Sequence, residues 1–95
     1  MDLSDWRDRI DALDRQLVAL LNVRCEYARA VGDFKRTHRL ATCDPEREST
    51  VLDNVVKVSQ GPLAPEALRR IYERIMAEMR DVQDAERNRC VSNGQ

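Results

Sequence analysis

Glycine and proline are scarce in this 95-residue chain, three of each, and histidine occurs once, at His38. So few helix breakers exclude a loop-rich or disordered chain and a turn-rich β-sandwich. With 42% apolar and 35% charged residues, the composition is that of long amphipathic helices. The cysteines, Cys25, Cys43 and Cys90, are odd in number and form no CxxC pair. That pattern argues against a disulfide framework and, beside a lone histidine, against a zinc site; reduced thiols and no metal are expected. No apolar run approaches the roughly 18 residues of a membrane span. The acidic opening, Met1 to Trp6, lacks the apolar stretch of an export signal, so a cytoplasmic location is expected. An excess of positive charge is also missing. Sixteen Lys and Arg against seventeen Asp and Glu leave a net charge of -1, which disfavours nucleic acid and anionic membranes as partners.

What is present is helical periodicity. Leu3, Trp6, Ile10, Leu13, Leu17, Leu20, Arg24, Tyr27, Val31 and Phe34 recur in alternating steps of three and four, the seam of one continuous helix from about Ser4 to Thr37. No proline interrupts it and only Gly32 weakens it. At 1.5 Å per residue such a helix is about 50 Å long. After a break from His38 to Cys43, Asp44-Pro45 reads as an N-cap followed by proline at the first helical position. Val51, Leu52, Val55, Val56 and Val58 would form the buried face of this second helix. Gln60 to Pro65 ends it and opens a third. Leu68, Ile71, Tyr72, Ile75, Met76, Met79 and Val82 carry the third helix to about Glu86, and Arg87 to Gln95, without an apolar period, reads as a frayed tail. The expectation is one all-α domain with a core over about 4–86.

Two helices of roughly 24 and 32 Å cannot fully cover one of about 50 Å while folding back into a compact body. A chain of this length is also marginal as a monomer, because it buries only about 60 to 65% of its unfolded surface. Part of the first helix should therefore pack on a second copy, most simply in a two-fold dimer.

Charged residues that break the pattern are the candidate site. Arg24 stands in the apolar seam where Leu or Val is expected, as either a buried ion pair or an anion site. Lys35 follows three turns later on the same face, about 16 Å away, so both side chains could lean towards one ligand. Arg7 precedes Lys35 by about 42 Å on a straight helix and could reach that ligand only from a partner chain. Arg47 and Glu48 lie one turn before Val51 and Leu52, and Asp44 could serve as both cap and ligand. Gln83 places an amide beside the stripe of Met76 and Met79. Taken singly, each is also an ordinary surface, capping or boundary residue; the acidic Glu46 is best explained by the helix dipole alone. No Ser/His/Asp constellation, Gly-rich phosphate loop or metal cluster accompanies them. From spacing alone, the chain is an anion-binding helical dimer.

Taken together, these residues resemble the all-α chorismate mutase family. The resemblance rests on Arg7, Ile10, Asp11, Asp14, Leu17, Leu20, Leu21 and Arg24, then Val31, Gly32 and Lys35. It continues through Asp44, Pro45, Arg47, Glu48, Val51 and Leu52, then Gly61, Pro62, Leu63 and finally Gln83. It implies three helices per chain, one long and two shorter, in an intertwined homodimer that rearranges chorismate to prephenate without cofactor or metal. It also implies that Arg7 of one chain completes a site built from Arg24, Lys35, Asp44, Arg47, Glu48 and Gln83 of the other. Lys35 and Gln83 would be the catalytic donors to the ether oxygen. The arginines would hold carboxylates, and Glu48 with Asp44 would face the ring hydroxyl. At Met79 the sequence departs from relatives that carry a small hydroxyl residue, which bears on substrate preference. Related readings are an isochorismate pyruvate lyase, a 4-amino-4-deoxychorismate mutase and, outside enzymes, a helical dimeric binding module.

Overall fold

The computed structural model describes residues 1–93, with side chains described through Glu86. Gly94, Gln95 and the side chains from Arg87 onward, Cys90 included, lie outside the described residues. Three helices and no strand make up what is described: α1 (Leu3–Thr37), α2 (Pro45–Val58) and α3 (Pro65–Asn93).

The 35-residue α1 begins with a reciprocal cap. Asp2 accepts from the Asp5 backbone N–H, and Asp5 accepts from that of Asp2, both at 3.0 Å. Two orphan donors are thereby satisfied at the positive end of the helix dipole. The other end is stopped by geometry rather than by glycine. Leu40 N–H donates to the Lys35 carbonyl at 2.7 Å and Arg39 N–H to that of Arg36 at 3.2 Å, the paired bonds of a Schellman stop. Arg39 holds the left-handed position, φ 58°, where glycine is the usual occupant. The His38 ring stacks on Phe34 with centroids 3.9 Å apart.

Asp44 caps α2 as expected, its Oδ1 accepting from the Arg47 N–H at 3.1 Å, with Pro45 in the first turn. Val51, Leu52, Val55 and Val56 are half-buried. Val58, expected on the same face, is instead exposed, because it is the final residue of α2. Gly61, at φ 77°, and a cis Gly61–Pro62 bond turn the chain into α3. That helix runs past Glu86, its expected end, to Asn93. A missing apolar stripe does not stop a helix, and no glycine or proline occurs between Arg87 and Asn93.

Of the three, α3 is the shared element. It packs against both α1 and α2, while α1 and α2 make no close backbone approach to each other. Among the described side chains only Met76 and Met79, both on α3, are buried. The chain extends over 59 × 27 × 15 Å with a radius of gyration of 16.9 Å, where a compact domain of this length has about 12 Å. Trp6, Ile10, Leu13, Leu17 and Leu20 of the α1 seam are all more than half exposed. No helix among the described residues is long and apolar enough to cross a membrane.

An L-residue in the left-handed region costs about 1 to 2 kcal/mol, partly offset because glycine adds freedom to the unfolded chain. Arg39→Gly is therefore expected to stabilise the fold by about 0.5 to 1 kcal/mol. Denaturation midpoints at fixed protein concentration test this, and an unchanged or lower midpoint refutes it.

Candidate active site

Arg24, Ala28, Val31 and Lys35, spaced four, three and four apart, share one face of the C-terminal half of α1. They form one wall of a cavity of about 300 Å³. Asp44, Arg47, Glu48 and Val51 of α2 and its preceding residue close a second side; Met76, Met79, Arg80 and Gln83 of α3 form the third. Six of the seven candidate residues thus meet at one hollow: Arg24, Lys35, Asp44, Arg47, Glu48 and Gln83. Arg7 does not. It is exposed near the start of α1, about 25 Å along the axis from Arg24.

The stop after α1 also builds the site. As the chain folds back, the Thr42 carbonyl accepts from Lys35 Nζ at 3.0 Å. This tethers a half-buried ammonium beside the cap residue Asp44 and leaves two further N–H donors. On α3, Gln83 Nε2 donates to the Ala28 carbonyl at 2.8 Å, joining the two helices through the side chain of the site. Gly32 is what permits this approach. A Cβ built there would lie 2.9 Å from Gln83 Cγ and 3.3 Å from its Cβ. The glycine that weakens the helical pattern is therefore the contact surface for Gln83.

The sequence reading missed Arg80, which pairs with Glu48 across α2 and α3. A usable signal existed: Arg80 follows the buried Met76 by four residues, the same stripe that singled out Gln83. The hydrogen bond that Arg80 donates to the Glu48 carboxylate raises the Arg80 pKa above its ordinary value, so this guanidinium stays charged. Across the cavity, Arg24, Lys35, Arg47 and Arg80 oppose Asp44 and Glu48, four positive charges against two negative. The hollow is suited to a small anion carrying two negative charges. Arg24 and Arg47 offer forked donors beside the Arg80–Glu48 pair, and the tethered Lys35 ammonium and the Gln83 amide supply further N–H donors. A larger hollow of about 510 Å³ on the other side of the α1–α3 contact is lined mainly by Leu21, Cys25, Ile71, Ile75, Met79 and Val82. Its polar lining is Asn22 and the Arg74–Glu78 ion pair, whereas the smaller cavity gathers charged side chains from all three helices. Among the described residues there is no cluster of His, Cys, Asp or Glu able to hold a metal ion.

Residues 6–84 match the family model of chorismate mutase type II. The chain belongs to that family. It is 38% identical over 72 residues to a bifunctional chorismate mutase/prephenate dehydratase of Neisseria gonorrhoeae, a match covering 76% of this chain and 19% of that protein. The chain thus spans about a fifth of the length of this bifunctional relative. A 4-amino-4-deoxychorismate mutase of Streptomyces pristinaespiralis is 28% identical over 83 residues, covering 86% of this chain and 64% of the relative. A solved chorismate mutase of Thermus thermophilus shares the fold, with a TM-score of 0.85 at 23% identity over 86% of this chain and 93% of that one. In this type II chorismate mutase fold, Arg24 and Lys35 come from the long helix, Asp44, Arg47 and Glu48 from the start of the second, and Arg80 and Gln83 from the third.

Gly32→Ala separates helix propensity from site geometry. Alanine favours a helix interior by about 0.5 to 1 kcal/mol over glycine, so helicity is expected to persist. The Gln83 side chain must nevertheless move off Ala28, which NMR of its side-chain amide would register as a shifted NH₂ pair. An unmoved amide signal contradicts the close approach.

Proposed function

We propose that this domain is a chorismate mutase, acting in the cytoplasm, that converts chorismate to prephenate by a pericyclic rearrangement. The observation that carries the reading is that Lys35 and Gln83, on different helices, line one cavity with Arg24 and Arg47. Its excess of positive charge suits a substrate with two carboxylates. The reaction breaks a C–O bond and forms a C–C bond within one molecule, so it needs neither nucleophile nor proton transfer. The protein's tasks are to hold a flexible substrate in its compact conformer and to stabilise negative charge on the ether oxygen. Arg24 and Arg47 grip carboxylates in bidentate fashion. Lys35, already oriented by Thr42, and Gln83, oriented by Ala28, donate to the ether oxygen. Glu48 accepts from the ring hydroxyl, with Asp44 beside it. The Gln83 amide donates at any pH, so turnover has no requirement for acid.

Turnover of chorismate and of isochorismate is the direct test, with products identified by mass. Prephenate at an enzymatic rate is the expected result; salicylate and pyruvate from isochorismate would move the domain to the lyase reading. A well-folded protein that consumes neither would leave only a helical binding module. Lys35→Ala is expected to lower kcat by about 10² to 10³ with the fold intact, and a variant keeping more than half the rate removes Lys35 from this role.

The proposal includes a two-fold dimer in which Arg7 of each chain enters the other's cavity. The uncovered seam of α1 supports this, as does an accessible surface of 7636 Å², where a compact chain of this mass exposes about 5,600 Å². The excess is of the order that an obligate interface buries. Mixing Arg7→Ala chains with Lys35→Ala chains tests the shared site. Half of randomly mixed dimers then pair one of each, and each such dimer holds one complete site. About a quarter of wild-type activity should return from two inactive preparations. Failure to recover any activity after exchange rules out the contribution from across the interface.

A further inference from the structure

We infer that Arg80 sets which substituent the site accepts on the substrate ring, favouring a neutral hydroxyl over an ammonium at the position that Glu48 faces. The inference rests on the mutase reading above and deepens it by naming the substrate class. Arg80 and Glu48 are each about two-thirds covered, with side-chain exposures of 33% and 27%, so water screens their charges only in part. Arg80 Nη1 donates to Glu48 Oε2, which leaves Oε1 to accept from the substrate. A carboxylate already neutralised by a guanidinium still accepts a hydrogen bond from a hydroxyl. It loses its advantage with an ammonium, which gains most from an uncompensated negative charge and is repelled by the guanidinium behind it.

The charge of the whole cavity points the same way. Arg24 and Lys35 on α1 and Arg47 on α2 exceed Asp44 and Glu48 by one positive charge; Arg80 on α3 raises the excess to two. A dicarboxylate with a ring hydroxyl carries two negative charges, whereas its amino counterpart carries one net negative charge while its amine is protonated. Arg80 therefore favours the hydroxyl substrate at the ring substituent and, with Arg7 of the partner chain adding a further positive charge in the proposed dimer, by making the cavity more positive towards the substrate of greater negative charge. It follows the buried Met79 on α3 and its guanidinium is held by Glu48, so the charge is part of the wall.

The test compares kcat/KM for chorismate and for 4-amino-4-deoxychorismate in the wild type, Arg80→Met and Arg80→Lys. The wild type is expected to prefer chorismate by at least about tenfold, the effect of one charge-assisted contact. Arg80→Met should shift the ratio towards the amino substrate by a similar factor, and Arg80→Lys, which keeps the charge, should stay close to wild type. A second readout needs no variant. As pH rises through the amine's own titration, the wild-type ratio should move towards the amino substrate, because the neutral amine no longer meets the guanidinium as a like charge. Equal losses on both substrates in Arg80→Met would make Arg80 only a strut between α2 and α3 and overturn the inference. A wild type that uses the two substrates equally, or a ratio flat with pH, would do the same. If the folded wild type consumes neither substrate, the mutase reading fails and takes this inference with it; if it consumes chorismate but the ratio behaves as a strut requires, only the role of Arg80 fails.

Discussion

An unbroken helix of about 52 Å, spanning 35 residues, outruns anything that two shorter helices of the same chain can lay upon it. Everything else follows from how that length is divided. The C-terminal half of α1 receives α3 and turns Arg24, Ala28, Val31 and Lys35 into a cavity wall. The N-terminal half keeps its apolar seam uncovered and carries Arg7 away from the site. With Met76 and Met79 alone buried among the described side chains, a single chain has a marginal core. The same uncovered surface that makes the single chain marginal is what a second chain would bury, so stability and a complete site have one cause in the proposed dimer.

The precision of the site comes from backbone features that carry no charge. Gly32 lets α3 approach closely enough for Gln83 to reach the Ala28 carbonyl. The Schellman stop, with Arg39 in a left-handed conformation, folds the next residues back so that Thr42 holds Lys35 and Asp44 starts α2 beside it. In the proposed reaction, donors fixed in this way would need little reorganisation as negative charge develops between them, the economical route to catalysis where no bond to the protein is made. The ion pairs Arg29–Glu86 and Arg69–Asp53 also tie α3 to its neighbours, but both lie at the surface and contribute little.

Arg80 shows how one residue can alter a site without adding a new kind of chemistry. Its pair with Glu48 bridges α2 and α3 and changes the charge seen by any ligand. The effect depends on partial burial, since the same pair in open solvent would be screened.

Local signals in the sequence were sufficient for the helices themselves. Alternating steps of three and four, Asp44-Pro45 and the scarcity of glycine and proline determine three helices and their starting points, because caps and amphipathic periods act over a few residues. The same periodicity marked Arg24 as out of place and put Lys35 on its face. What local signals do not encode is which faces meet. The partnership of Arg80 with Glu48, 32 residues apart, emerges only when the helices pack. Gly32 reads locally as a weak point and becomes, once α3 crosses it, the reason Gln83 fits. Periodicity and caps are properties of neighbours along the chain, and the sequence determines them by itself. Close approach and charge pairing are properties of neighbours in space, and here the tertiary structure decided them.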